Sequence, residues 1–446
     1  MIQSYMDELN SMSPLDGRYF NKVKDIAELF SEFGLFKKRI YIEVEYLIEF
    51  LAATKQATFS KESLRKIYED FSLKDAKRIK EIEKQTNHDV VAVIEFIKEK
   101  VNKMYKPFVH FGLTSEDINN LSYGLLLKEA KNIYLKSLKE TILIITKLAK
   151  KYKALPMLSR THAEPATPTT IGKEFVNYAI RLSKQYKNLK ETEIAGKLNG
   201  STGNFNALSA LFPDVDWLNF STNFVDKLGL SSTLFSTQIL FLDSYIELFD
   251  TIKRINSIII DLDRNIWLYF LLDYFGLKVA KNSVGSSTMP HKINPIFFEN
   301  SEGNAEMAED LLSFLSKKLA KSRLQRDLSD STVKRNIGIA FGYSLLSIES
   351  LKEGLEKIVI NKEKAQRDLN AHPEIISELL QLSLRKEGLA NAYSLIKGKR
   401  RDKNFSYENS LKKLYGKKTN IISVYIFGEA ARLVDKAIEI IYKNLD

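Results

Sequence analysis

The stretch QILFLDSYIELFDTIKRINSIIIDLDRNIWLYFLLDY, residues 238–274, decides the fold. Leu242, Ile246, Phe249, Ile252, Ile255, Ile259, Leu262, Ile266 and Phe270 advance by three or four residues, averaging about 3.5, which is the seam of a bundle helix. Leu240, Tyr245, Ile258, Trp267 and Leu271 make other faces apolar too. A helix of that extent, roughly 55 Å at about 1.5 Å per residue, needs cover on several sides, and this predicts an oligomeric core. No proline falls between Pro213 and Pro290 or between Pro295 and Pro373, so long helices can run uninterrupted there.

Working outward, residues 117–151, 170–196 and 297–328 carry the same helical pattern and complete an up-and-down bundle. Short alternating runs with turn dipeptides are nearly absent, so strands should be few and small. The reading is an all-α chain of three domains: an N-terminal helical domain over 1–112, a central long-helix bundle over 113–362 that forms the oligomer core, and a C-terminal helical domain over 363–446.

Composition narrows the class. A chain of 446 residues with 44% apolar content can bury sizeable cores, which argues against a disordered or fibrous protein. The absence of cysteine removes disulfides, thiol nucleophiles, Cys-ligated zinc and iron–sulfur clusters together. The N-terminal MIQSYMDELN lacks the basic and apolar regions of a signal peptide, and the apolar stretch 255–272 carries Asp261, Asp263 and Arg264, which disqualifies it as a membrane span. A cytoplasmic location is expected. The net charge of +11 suits an anionic partner, and the one dense basic run, Lys397 to Lys403, reads by itself as a solvated loop rather than a nucleic-acid patch.

The segments that could carry chemistry lie between the helices. Residues 285–295, GSSTMPHKINP, join two long helices and present serine oxygens, a lysine ammonium and an amide within a few residues. It is not a phosphate-binding P-loop, because no glycine precedes Lys292 and no Ser/Thr follows it. Thr114-Ser115-Glu116-Asp117 is a capping-box pattern, and Asn87-His88-Asp89 precedes an apolar helical run; both are helix starts, which cap and also bind anions. No metal-ligand spacing such as HExxH occurs, and no cofactor is implied. By themselves these residues leave surface and capping roles open.

The string GSSTMPHKINP closely resembles the signature GSSxMPxKxNP of the aspartase/fumarase superfamily. SPLDGRY, TNHDV, LTSEDINN, SRTHAEPATP and RDLSDSTVKRN, in order from about residue 11 to 360, resemble its bacterial adenylosuccinate lyase branch. The resemblance implies an all-α homotetramer with active sites shared between subunits. It further implies cofactor-free elimination of fumarate from adenylosuccinate to give AMP, and from SAICAR to give AICAR. Such chemistry needs a base, an acid and an electropositive cradle for the aci-carboxylate that forms. By resemblance Ser286 is the base and His162 the acid. Lys292 and Asn294 hold the substrate carboxylate, Ser287 adds a hydroxyl contact, and Arg18, Tyr19, Asn87, His88, Asp89, Thr114, Ser115, Gln238, Asn300, Arg326, Ser331, Thr332 and Arg335 contribute the remaining substrate contacts. Two departures stand out: Ala163-Glu164 follows the histidine where the nearest branch has Gly-Gln, and Val91 stands where some relatives have Lys. Argininosuccinate lyase, aspartase and fumarase share the elimination, and a non-catalytic or RNA-binding helical protein is the other class weighed. The DGRY, NHD and STVKR segments favour a nucleotide substrate.

Overall fold

The computed structural model describes residues 10–278, 288–289, 291–399, 405–416 and 420–446. The chain opens with α1 (Phe20–Phe30), α2 (Glu32–Thr54), α3 (Lys61–Glu69), α4 (Leu73–Thr86), α5 (Asp89–Lys100) and the long α6 (Ser115–Lys151). A hairpin of β1 (Pro156–Thr161) and β2 (Glu164–Thr170) leads into α7 (Ile171–Glu191), followed by β3 (Ala195–Gly196), α8 (Asn206–Leu211), α9 (Trp217–Lys227), β4 (Ser231–Ser232) and α10 (Asp243–Leu271). Then come β5 (Phe275–Leu277), α11 (Ile296–Leu319), α12 (Ser329–Lys334), α13 (Ile337–Lys357) and β6 (Ile358–Ile360). The C-terminal part holds α14 (Lys362–Ala371), α15 (Ser377–Lys386), α16 (Ala392–Gly398), α17 (Tyr407–Tyr415), α18 (Asn420–Phe427) and α19 (Ala430–Leu445). The fold is all-α; among the described residues six short strands pair as β1–β2 and β5–β6, antiparallel, and β3–β4, parallel.

The chain packs as two compact units, one of Met1–Ser137, Asn188–Ser257 and Asn304–Ser347, the other of Leu138–Lys187, Ile258–Gly303 and Ile348–Asp446. In the first, Phe50 sits in an aromatic cluster with Tyr46, Phe108, Phe111, Phe212 and Trp217, ring centroids 5.1–6.3 Å apart. The Tyr46 hydroxyl donates to the Phe111 carbonyl at 2.7 Å, which fixes the loop leading to α6. A buried relay from Tyr134 through Ser344 to Asn256 ties α6, α13 and α10 together at 2.9 and 2.7 Å. In the second unit Phe175 stacks on Phe275 at 5.7 Å, and Leu158, Leu369, Ile375, Leu380, Ile396 and Leu411 form a core under the β1–β2 hairpin.

Three expected helix extents are corrected. The seam helix runs Asp243–Leu271, about 43 Å for 29 residues, and does not begin at Gln238. Residues 237 and 238 are committed to tertiary bonds instead: Thr237 Oγ1 donates to the Gln325 carbonyl at 2.9 Å and Gln238 Nε2 to the Ser201 carbonyl at 3.0 Å. The helix expected to reach Leu328 stops at Leu319, because the Asp327 carboxylate takes the N–H groups of Arg323 (3.0 Å) and Ser329 (2.7 Å) and Leu324 turns to φ +48°. The helix expected to reach Gly196 stops at Glu191, where Lys131 Nζ satisfies the carbonyls of Lys190 and Thr192 at 3.2 and 2.8 Å.

Candidate active site

In the first unit, two helix starts and the segment 326–335 converge. Asn87 ends α4 at φ +50°, and His88 then caps α5, its Nδ1 accepting the Val91 N–H at 3.3 Å. That bond places the imidazole proton on Nε2, so the exposed edge of the ring is a donor. Asp89 takes the Val90 N–H on Oδ1 at 2.9 Å, while Oδ2 accepts from Arg39 Nη2 at 2.8 Å and Arg335 Nη2 at 2.9 Å. Burial works to raise the Asp89 carboxyl, but Arg39 and Arg335 outweigh it and hold it below the ordinary range. Asp89 is therefore an ionised bracket between two arginines.

At α6 half of the expected capping box forms: the Thr114 N–H donates to Asp117 Oδ2 at 2.9 Å. Asp117, fully buried, also accepts from Lys197 Nζ at 2.9 Å and from the backbone N–H groups of Asn199 and Gly200 at 3.1 and 3.2 Å. Its neighbour Glu116 accepts from Arg326 Nη1 at 2.8 Å and from Lys334 Nζ at 3.0 Å. With both acids committed, the half-buried hydroxyls of Thr114 and Ser115 are left without a partner among the described residues. Ser331, in the same segment as Arg326 and Arg335, lies on α12. The Thr237 bond to Gln325 brings Gln238 alongside. Helix N-termini, arginine forks and hydroxyls suit a phosphate or a carboxylate.

In the second unit His162 stands at the tip of the β1–β2 hairpin, where Thr161 pairs with Glu164 and only His162 and Ala163 lie between. Both have positive φ, +52° and +66°, the type I′ geometry that Asn-Gly normally supplies. Arg160 Nη1 braces the turn through the Ala163 carbonyl at 3.2 Å. Holding two side-chain-bearing residues left-handed costs about 1–2 kcal/mol each, and the outcome is an exposed imidazole on a rigid two-stranded arm. The arm is seated by Thr167, which donates to Glu378 Oε2 at 2.9 Å, and the Tyr425 hydroxyl reaches the same oxygen at 2.9 Å. Beside it lies a cavity of about 810 Å³ lined by residues that include Glu164, Thr167, Glu378, Tyr393 and Tyr407.

Comparison with known proteins completes this description. Residues 17–308 match the family model described as lyase, and residues 322–421 match the adenylosuccinate lyase C-terminal model. The chain is 44% identical to the adenylosuccinate lyase of Haemophilus influenzae over 405 residues, covering 88% of this chain and 89% of that protein. It is 44% identical to the adenylosuccinate lyase of Escherichia coli strain K12 over 90% of this chain and 91% of that one, and to that of Dictyostelium discoideum over 88% of both. The chain belongs to the adenylosuccinate lyase family. Among solved structures, 3-carboxy-cis,cis-muconate lactonizing enzyme from Pseudomonas putida superposes with a TM-score of 0.77 at 16% identity over 94% of this chain and 97% of that one, a likeness of fold.

Within this adenylosuccinate lyase family member the structure brings Asp89, Arg335, Arg326, Thr114, Ser115 and Gln238 into one neighbourhood through the bonds above. Arg18 and Tyr19 belong to another cluster at the start of α1, Tyr19 packing on Leu15, Val23 and Leu346 with the Arg18 guanidinium 5.8 Å from its ring. Lys292 is exposed just ahead of α11, its N–H bonded to the Met289 carbonyl at 3.0 Å; Asn294 and Asn300 are half-buried near the start of that helix. Ser286 and Ser287 lie outside the described residues. Arg39, Lys197 and His110 are polar residues that sequence reasoning did not single out, while Glu116 and Asp117 were read as a helix cap and Lys334 only as part of a quoted segment, without their ion pairs. In the loop before Thr114, burial pushes the His110 imidazole down but Glu43, 2.5 Å away, more than offsets it. Among the described residues no group of three His, Cys, Asp or Glu could hold a metal, and no helix is long and apolar enough to cross a membrane.

Proposed function

We propose that this lyase eliminates fumarate from adenylosuccinate to give AMP, and from SAICAR to give AICAR. The observation that carries the reading is the pair of outward-reaching arginines, Arg326 and Arg335, set beside the hydroxyls of Thr114 and Ser115 at two helix starts. A nucleotide's phosphate matches that arrangement, whereas aspartate and malate carry no anion beyond the two carboxylates of the reacting succinyl skeleton and would leave it unfilled.

The chemistry then divides among the remaining groups. Ser286 removes the weakly acidic C–H proton next to the substrate carboxylate, and Lys292 and Asn294 stabilise the dianionic aci-carboxylate that results. His162 protonates the leaving nitrogen from the tip of its hairpin arm. Atoms balance without any further reactant: one C–N bond breaks, one C=C bond forms, and the proton lost from carbon is matched by the one given to nitrogen. The protein acts in the cytoplasm as a homotetramer whose sites draw on more than one subunit. Trp267, Leu268 and Leu271 on α10 and Met307 and Phe314 on α11 are each 42–66% exposed within one chain, which supports helix packing between copies.

Incubating the purified protein separately with adenylosuccinate, argininosuccinate, aspartate and malate, and assaying fumarate, tests the reading. Fumarate should come from adenylosuccinate alone. Release from one of the other three instead would assign the chain a different substrate within the same chemistry.

A further inference from the structure

Two carboxylates at adjacent helix starts share one pattern. Asp89 stands between Arg39 and Arg335, and Glu116 between Lys334 and Arg326. In each set one cation is sealed in, Arg39 at 3% and Lys334 at 4% side-chain exposure, and the other reaches outward, Arg335 at 45% and Arg326 at 20%. Burying a guanidinium or an ammonium is expensive, so each sealed cation needs a reason to be there. Arg39 spends Nε on Asn119 Oδ1 at 3.0 Å and Nη2 on Asp89, and its Nη1 is buried without a partner among the described residues. Lys334 divides its ammonium between Glu116 at 3.0 Å and Asp330 at 2.7 Å.

The charge count explains the arrangement. A carboxylate facing one exposed arginine would neutralise it and compete with any incoming anion. With a second cation behind it, the carboxylate still orients the arginine, but the set carries one more positive charge. Asp89 with Arg39 and Arg335 totals +1 rather than zero, and Glu116 and Asp330 with Lys334 and Arg326 total zero rather than −1. The two arginines also keep donors to offer: each commits one terminal nitrogen to its carboxylate, leaving the rest of the fork for an oxyanion.

We propose that Arg39 and Lys334 are positioning residues of the phosphate subsite, acting from behind Asp89 and Glu116 to aim Arg335 and Arg326 outward and to leave them charge for a phosphate monoester. The inference rests on the reading of the chain as an enzyme acting on nucleotides. Its test compares two inhibitors that differ only in the phosphate, AMP and adenosine, against wild type, Arg39→Gln, Arg39→Lys and Lys334→Met. Wild type should bind AMP more tightly than adenosine. Arg39→Gln and Lys334→Met should each reduce that ratio by about tenfold, raise KM for adenylosuccinate similarly and change kcat by less than about threefold. Arg39→Lys keeps the charge and loses the fork, and should lower the ratio by about threefold with adenosine binding unchanged. If Arg39→Gln fails to fold by circular dichroism, Lys334→Met and Arg39→Lys decide. An unchanged ratio in the folded variants, or an equal loss for AMP and adenosine, overturns the proposal. A wild-type enzyme that binds adenosine as well as AMP instead overturns the nucleotide reading beneath it.

Discussion

Replacing Lys197 with Met tests how the start of α6 is held. Lys197 and Asp117 are both fully buried, and the Lys197 ammonium lies 2.9 Å from Asp117 Oδ1 and 3.2 Å from the Gly200 carbonyl. Methionine fills most of the same space but leaves the Asp117 carboxylate as an uncompensated buried charge. Removing one partner of a buried pair costs about 3–5 kcal/mol. The lower end applies here, about 3 kcal/mol, because Asp117 keeps three backbone N–H donors, from Thr114, Asn199 and Gly200. Unfolding entropy of about 2.1 cal/mol/K per residue amounts to roughly 0.9 kcal/mol/K for a chain of 446 residues, so the melting temperature should fall by about 3–4 °C. Calorimetry at one scan rate and one protein concentration measures the shift. The double variant Asp117→Asn with Lys197→Met, which removes the stranded charge, should recover part of it. A melting temperature within about 1 °C of wild type for Lys197→Met, or a double variant melting below the single one, would refute the reasoning.

Three further outcomes are expected. At the hairpin tip, Ala163→Gly should keep turnover within about threefold, whereas Ala163→Val should lower it at least about tenfold, because a β-branched residue resists the left-handed φ of +66° that sets His162; equal turnover in both would discount the turn geometry. Asp263 on α10 is fully buried and faces Ser301 and Glu302, and burial holds its carboxyl well above the ordinary carboxylate range, so the folded state binds a proton that the unfolded chain releases. Stability from this group is therefore complete below about pH 4 and falls as pH rises through the raised value; Asp263→Asn should melt above wild type at pH 8 by more than at pH 5, and a difference that does not grow with pH contradicts this. Inactive His162→Gln and Ser286→Ala, unfolded together and refolded as mixed tetramers, should regain activity that neither regains alone; mixed tetramers without activity would place acid and base in one chain.

The helical frame was legible because burial writes itself into sequence with a period. The seam from Leu242 to Phe270 repeats every three or four residues whatever its partners, so the body of α10 could be read directly. Its start could not, since Thr237 and Gln238 leave the helix to bond with Gln325 and Ser201, which lie far away in the chain. The hairpin at 156–170 was hidden for a related reason: it has neither alternation nor an Asn-Gly turn, and its two left-handed residues are His162 and Ala163. At the candidate site, residues lying in compact motifs were recognisable, among them Asp89, Thr114, Arg326 and Arg335. Arg39 was not, because it is one basic residue within the largely buried α2 and its meaning comes from Asp89, 50 residues later. Lys334 likewise reads as a helix-surface charge until Glu116 is seen against it.

The measurement closest to the central claim is the steady-state rate of fumarate release from adenylosuccinate by wild type and by Ser286→Ala. The account predicts AMP and fumarate in equal amounts from wild type, and a folded Ser286→Ala that still binds substrate but turns over about a hundredfold or more slowly. No fumarate from folded wild-type protein, or near wild-type turnover in Ser286→Ala, would contradict it.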